Sequence, residues 1–359
     1  MTKFDMKTKR VLVAPLDWGL GHATRCIPII RLLLQKSCEV EIASSGSALK
    51  LLQLEFPNLK YLELPSYGAS YSSRLPFMVK VFMQLPKFLM AIHNERYALV
   101  KIVKSTDYAL IIADNRYGCH VSQVKSVFIG HQLNIIMPSY LKWMAPVVNY
   151  FNRKWIANFD ECWIPDEEKA RWTGALTQTS IKGAKYIGLL SRFVKRHTNN
   201  TAYQLAIILS GPEPQRTILE QKLMHQLKHI DINTIIVRGV VEGSQADGRI
   251  QHVERVNYLL SEELESVIVN SEIVLCRSGY SSVMDLATLG KKAIFIPTPG
   301  QTEQEYLAML LKQRGIAYCQ SQKDFDLALA LKEINNYTGF AGWKGKTNLL
   351  DEAIEHALS

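Results

Sequence analysis

Arg277-Ser278-Gly279 stands between an apolar run, Glu272–Cys276, and a helical stretch that carries Asp285. A second apolar run, Ala293–Pro297, opens into a loop with Gln301 and then a helix start carrying Glu303, Gln304 and Glu305. Two strand-to-helix turns of this kind converge on one crevice. Each offers free backbone N–H groups where the helix dipole favours an anion. Arg277 adds a fixed charge suited to phosphate. Carboxylates and amides one turn further in accept from, or donate to, hydroxyls of a ribose or a sugar. The chemistry such a set predicts is the binding of a nucleotide-sugar.

A second set lies near the start of the chain. Residues 17–25, D-W-G-L-G-H-A-T-R, follow the first apolar run and open the first helix. Gly19 and Gly21 permit a tight turn and close approach of a ligand. G-x-G also begins a dinucleotide fingerprint, but Ala23, Thr24 and Arg25 do not continue it. His22, at the helix start, reads equally as a catalytic base or as a capping histidine. Asp17 either orients it or acts instead. In A-D-N-R-Y-G (113–118), Asp114 is most simply the cap of the next helix. Arg116, at the C-terminal end of that strand, is placed for ligand contact. His225 and His229 have i,i+4 spacing but no third ligand nearby, so they read as a solvated helix face rather than a metal site.

The stretch C-R-S-G-Y-S-S-V-M-D (276–285), with an acid seven residues after Ser278 and a Gln-bearing helix start after the next strand, resembles the donor-binding motif of glycosyltransferase family 28. That is the family of the peptidoglycan N-acetylglucosaminyltransferases. Asp285 stands where that transferase has Glu, and Gln304-Glu305 where it has two Gln. Its G-x-G-H loop matches residues 19–22, which implies a catalytic role for His22. G-L-L-S-R (188–192) resembles the family's G-N-P-V-R and implies that Arg192 reaches the donor's phosphates; the alternative is an ordinary linker arginine. Ser210 and Gly211 stand where the family has G-G-S-Q-G, but Pro212 takes the Ser position and two prolines remove N–H donors. G-H-Q-L-N (130–134) is similar to a His-Glu-Gln-Asn stretch near the acceptor. Gln132 replaces the Glu, and Asn134 lies one step out of register.

The resemblance implies an α/β protein of the GT-B type, with two doubly wound Rossmann-like domains facing a central crevice. It implies a metal-independent, inverting hexosyltransferase with the nucleotide-sugar, UDP-linked, as substrate and no cofactor. Donor contacts fall to Arg192, Ser210, Gly211, Arg277, Ser278, Gly279, Asp285, Gln301, Glu303, Gln304 and Glu305. Acceptor contacts fall to Gly19, Gly21, Asp114, Arg116, His131 and Asn134. A sugar-nucleotide 2-epimerase would use two such domains as well, but no acid–base set around the bound sugar stands out. A non-catalytic sugar-nucleotide-binding subunit is disfavoured by His22 occurring together with Arg277, Asp285 and Gln304.

The elements that must position these groups alternate short apolar runs with helical stretches. Strands are expected at Val11–Pro15, Val40–Ala43, Tyr61–Leu64, Tyr108–Ala113, Ser126–Ile129 and Cys162–Pro165. Helices are expected at Thr24–Lys36, Ser47–Glu55, 74–104 (broken) and 138–157. The pattern restarts after Gly188 with strands Leu205–Leu209 and Thr234–Val237 and helices Gln215–His229 and Glu262–Asn270. Repeated β-then-α order implies parallel sheets covered on both faces. The acceptor domain is expected over 1–187 and the donor domain over 188–346, with a linker near Tyr186–Lys195. A last helix, 347–358, is expected to pack back on the first domain, as the resemblance implies.

The 359 residues suit two cores. Net charge is +9, unevenly placed. Residues 1–185 carry 24 Lys/Arg against 14 Asp/Glu, and residues 186–359 carry 18 against 19. Within 74–154 the ratio is 11 to 3, interleaved with Phe77, Phe82, Phe88 and Trp143. No nucleic-acid motif is present, so the partner expected for this half is an anionic membrane surface bearing a lipid-linked or membrane-associated acceptor. The alternative for these helices is a pair of core elements with snorkelling lysines. The six cysteines form no C-x-x-C pair and read as buried thiols. With no apolar signal core and no run long enough to span a bilayer, the expected location is the cytoplasm or, peripherally, the inner face of the cytoplasmic membrane. The role expected is in the cell envelope.

Overall fold

The computed structural model describes residues 8–68, 84–169, 171–179, 181–194, 201–240, 248–341 and 348–359. The first domain carries strands β1 (Arg10–Pro15), β2 (Glu39–Ser44), β3 (Lys60–Glu63), β4 (Leu110–Asp114), β5 (Ser126–Ile129), β6 (Glu161–Ile164) and β7 (Ala184–Tyr186). They form one parallel sheet in the order β3-β2-β1-β4-β5-β6-β7. Helices α1 (Leu20–Gln35), α2 (Gly46–Glu55), α3 (Leu85–Ser105) and α4 (Ala145–Ile156) cover it.

The second domain repeats the plan. Its strands are β8 (Tyr203–Ile208), β9 (Thr234–Val237), β10 (Gly248–Ile250), β11 (Val253–Val256), β12 (Ser271–Cys276), β13 (Lys292–Phe295) and β14 (Tyr318–Cys319). The order is β10-β11-β9-β8-β12-β13-β14, parallel except for β10 against β11. Its helices are α5 (Gln215–Leu227), α6 (Ser261–Val269), α7 (Tyr280–Leu289), α8 (Thr302–Gln313) and α9 (Leu327–Glu333).

Alternation along the strands explains the layers. Val11 and Val13 join one core, Leu12 and Ala14 the other. Ala293 and Phe295 face one side of the second sheet, Ile294 and Ile296 the opposite side. Successive side chains point to opposite faces, so strands apolar at every position need helices on both.

The terminal helix α10 (Leu349–Leu358) lies on the first domain. Ala353, Ile354 and Ala357 enter its core beside α1, and Lys36 reaches Asp351 at 2.6 Å and Glu355 at 2.7 Å. Burying Ile354 alone contributes about 1.5–3 kcal/mol. In a doubly wound sheet the crevice opens where the strand order reverses, beyond the strands' C-terminal ends. That point lies between β1 and β4 in the first domain and between β8 and β12 in the second. The loop with His22 follows β1, Asp114 ends β4, Ser210-Gly211 follows β8, and Arg277-Ser278-Gly279 follows β12.

Candidate active site at the domain seam

Gly19 starts the site. It precedes α1 with φ +89°, a region costly for any side chain, and so turns the chain from β1 into the helix. His22 then falls in the first turn of α1, and Arg25 one turn later on the same face. Asp114 meets both. Its Oδ1 lies 3.0 Å from His22 Nδ1, and its two oxygens accept from Nε and Nη2 of Arg25. His22 keeps 13 % exposure, where Arg25 keeps 2 % and Asp114 none.

Charge is distributed unevenly in this cluster. Burial alone would raise the Asp114 carboxyl, but Arg25 and His22 outweigh it and hold it well below the usual carboxylate range. Burial and then Arg25 push His22 down to about 4, against the pull of Asp114. The imidazole is therefore neutral near pH 7. An ionised carboxylate can only accept, so where Nδ1 pairs with Asp114 it carries the proton and Nε2 keeps a free lone pair. A neutral imidazole held this way by a carboxylate is competent to take a proton from a hydroxyl.

The second domain closes on this cluster. The Ser281 hydroxyl donates to the Gly21 carbonyl at 3.0 Å. His131 Nε2 lies 3.1 Å from Glu303 Oε1, and Gln132 donates to the other oxygen of Glu303. The Tyr280 ring stacks 4.5 Å from His131 and 5.6 Å from the Arg25 guanidinium carbon. Glu303 lies in the first turn of α8, where a negative charge is favoured. Burial opposes its ionisation, but His131 and Arg25 lower it below the ordinary value.

The donor-side residues do several distinct things. Gly279 precedes α7, whose first N–H groups have no partner within the helix. Ser278 is buried and donates to the Gln304 carbonyl at 2.8 Å. Asp285 accepts from Ser191 at 2.7 Å and has Arg192 3.8 Å away; burial raises it to about 6 despite that arginine. Arg192 also stacks 4.9 Å from Phe193. Gly211 has φ +99°, and a Cβ there would sit 3.4 Å from Thr298 Oγ1 and 3.8 Å from Arg277 Nε. Thr298 Oγ1 and Arg277 Nε are buried without a hydrogen-bond partner, so this corner has polar capacity to spare.

Several expectations need correction. Arg277 is 1 % exposed, and its terminal nitrogens donate to the carbonyls of Ile296, Pro297 and Gln215. It braces three loops, with only Nε left over, and burial lowers it to about 10. Arg116 is no free ligand contact either. It is fully buried and donates to the Pro15 and Pro65 carbonyls, Ser45 Oγ and Glu95. Asp17 does not orient His22; it accepts from Ser66 and the Tyr67 N–H. Asp114 orients the histidine and is not a helix cap. Asn134 donates to the carbonyls of Ala175 and Gln178 and anchors the strand-to-linker region. Gln304 accepts from the Thr298 N–H at 2.8 Å and donates to Gln301; Glu305 accepts from the Gly300 N–H at 2.9 Å. Both side chains hold their own loop. Gly21 meets the second domain rather than an open acceptor site.

Arg25, Gln132, Ser191 and Ser281 were missed as site residues. Only Arg25 had a usable signal, its position one helical turn after His22. Among the described residues no cluster of three or more His, Cys, Asp or Glu is arranged to hold a metal ion.

Comparison with known proteins agrees with this fold. Residues 213–339 match the glycosyltransferase family 28 C-terminal domain. The chain is a GT-B protein resembling family 28. A UDP-N-acetylglucosamine--N-acetylmuramyl-(pentapeptide) pyrophosphoryl-undecaprenol N-acetylglucosamine transferase of Histophilus somni is 28 % identical over 149 residues, 38 % of this chain and 42 % of that protein. The Haemophilus influenzae (strain PittEE) protein of the same name is 30 % identical over 116 residues, 29 % of this chain and 31 % of the relative. The chain thus spans less than half the length of these two curated relatives. Solved structures match over nearly the whole chain. MurG of Acinetobacter baumannii superposes with TM-score 0.61 at 13 % identity, covering 98 % of this chain and 99 % of that one. The glycotransferase of kitacinnamycin gives 0.64 at 16 %, covering 98 % and 100 %. The matched segment contains Gly279, Asp285 and the Gln301–Glu305 helix start, so it forms one side of the seam and the His22 cluster the other.

Proposed function

We propose that this protein is an inverting glycosyltransferase. It moves a hexose or N-acetylhexosamine from a UDP-sugar to a hydroxyl of a lipid-linked acceptor. The observation that carries this reading is His22, neutral and held by Asp114, placed directly across the seam from the start of α7. His22 Nε2 takes the proton of the acceptor hydroxyl, which attacks the anomeric carbon from the face opposite the leaving nucleotide. The N–H groups at the start of α7, and Nε of Arg277, receive the departing diphosphate. Asp285 accepts from ribose hydroxyls. The activity for which these relatives are named supports N-acetylglucosamine as the sugar and a pyrophosphoryl-undecaprenol acceptor.

The membrane side is supported by the surface of the first domain. Trp143 is 75 % exposed, and Val147, Tyr150 and Phe151 follow on one exposed face of α4 with Lys154 a turn later. Lys142 is exposed beside them. An outward apolar stripe with lysines at its ends suits insertion at an anionic interface. Phe88, expected to share that surface, is instead buried against Leu16 and Tyr67, and Lys87 donates to the Gly68 carbonyl. Lys80, Phe77 and Phe82 lie outside the described residues. Among the described residues no helix is long and apolar enough to cross a membrane.

The test is nucleotide release from a panel of UDP- and dTDP-sugars, with and without an undecaprenyl-diphosphate-linked acceptor. Acceptor-dependent UDP release is the expected result. Interconversion of the sugar-nucleotide without any acceptor would replace this reading with the epimerase.

A further inference from the structure

Arg25 sits at the centre of the cluster and joins more of it than any single role in folding requires. Nε and Nη2 are spent on Asp114, and Nη1 lies 2.5 Å from His131 Nδ1. A guanidinium has donors only. His131 Nδ1 must therefore be the unprotonated nitrogen, and its proton sits on Nε2, which faces the Glu303 carboxylate. His22 turns its Nδ1 toward Asp114 Oδ1 at 3.0 Å. Nη2 of Arg25 reaches the same Nδ1 at 2.7 Å, so the carboxylate and the guanidinium share that nitrogen. We propose that Arg25 is a positioning residue: it fixes the His131 tautomer, seats His22 between itself and Asp114, and links the base to the donor domain through His131 and Glu303.

This rests on the reading of His22 as the base. Stability alone is a weak reason for the arrangement, because a buried ion pair is often no better than apolar residues of similar size. A lysine in its place would be a point charge without the fork that serves Asp114 and His131 together. The groups facing this arginine are Cys26 on its own helix, Asp114 from β4, His131 after β5, Tyr280 on α7 and Glu303 on α8. Two carboxylates and one guanidinium leave both rings neutral while burial and Arg25 depress each of them.

The experiment is long-range proton–nitrogen NMR on protein labelled with ¹⁵N-histidine, with His22→Gln and His131→Gln for assignment. Wild type should show His131 protonated on Nε2 and both rings neutral near pH 7. Arg25→Gln should raise the His22 midpoint by about one pH unit or more, and the acid limb of kcat/KM should move with it. Turnover at pH 7 should fall at least about tenfold, with donor KM little changed. Arg25→Lys should keep the low midpoint yet lose the His131 tautomer and a similar share of turnover. His131 protonated on Nδ1 in wild type, or an unmoved His22 midpoint in Arg25→Gln, reduces Arg25 to a packing residue. Should the variants fail to fold, the wild-type spectra still decide. Full turnover in His22→Gln sinks the base reading itself, and with it the catalytic half of this inference.

Discussion

Ser281 and Gly21 set the spacing of the two domains. The serine hydroxyl donates to the glycine carbonyl at 3.0 Å, and a Cβ on Gly21 would sit 3.1 Å from that same oxygen. The start of α7 therefore rests on the backbone of the His22 loop, with no room for a side chain between them.

Gly21→Ala should accordingly lower turnover several-fold, because the seam must open by a few tenths of an ångström. Removing the opposing oxygen relieves this, since the next atom, Ser281 Cβ, lies at 3.8 Å. The double variant Gly21→Ala/Ser281→Ala should recover part of the loss. Such recovery marks coupling between neighbours. Steady-state kinetics on the four proteins gives the result, and strict additivity would refute the steric account.

The catalytic assignment separates two aspartates. His22→Ala should reduce kcat by roughly two to four orders of magnitude while calorimetric donor affinity changes little. Asp114→Asn should act in the same direction, because the amide no longer selects the Nδ1–H tautomer. Asp17→Asn should have a small effect, since Asp17 serves the Ser66–Tyr67 turn. A collapse of kcat in Asp17→Asn with activity preserved in His22→Ala would transfer the base to Asp17.

Asp285, read as the ribose contact, should make donor binding depend on pH. Burial raises its carboxyl to about 6. On that reading the ionised form accepts ribose hydroxyls, so donor affinity should weaken as pH falls through about 6. Stability should move the opposite way. A carboxyl whose folded pKa exceeds its unfolded value of about 3.9 takes up its proton first in the folded state. Its contribution to stability is therefore full below about 3.9, falls away as pH rises through about 6, and is absent above. Melting temperatures of wild type and Asp285→Asn should thus differ more in wild type's favour at pH 4.5 than at pH 7.5. A constant difference across that range would contradict the raised pKa.

Fold and site were legible to different degrees. The sheet cores could be read because β1, β4, β12 and β13 each hold an unbroken apolar run (Val11–Pro15, Leu110–Ala113, Ile273–Cys276 and Ala293–Phe295), which demands two covered faces. Helix α1 begins at Leu20, four residues ahead of the expected Thr24, because Gly19 makes the turn at once. Strands β7, β10, β11 and β14 were not anticipated; each has two to four residues and no run of its own. In the site, residue types were informative but partners were not. Asp114 meets His22 across 92 residues of chain, and Glu303 meets His131 across 172. No local spacing carries such pairings. Arg277 and Arg116 show the same limit: an arginine beside a crevice has the chemistry for phosphate, but only burial reveals that backbone carbonyls already occupy it.

The exposed stripe on α4 makes the last prediction. Trp143, Val147, Tyr150 and Phe151 leave a contiguous apolar face in solvent, with Lys142 and Lys154 close by. Binding to anionic liposomes should be clear at low salt and fade as salt rises, because each lysine near such a surface contributes about 1 kcal/mol and is screened over a Debye length. Trp143→Glu/Phe151→Glu should abolish sedimentation with liposomes by removing the inserting groups. Lys142→Glu/Lys154→Glu should reduce it and flatten the salt dependence. UDP-sugar affinity should stay unchanged in both, since neither pair touches the seam. Turnover should fall only with an acceptor presented in a bilayer and persist with a short-chain, water-soluble analogue. If both acceptors are used equally well by the Trp143/Phe151 variant, the stripe has no part in reaching the acceptor.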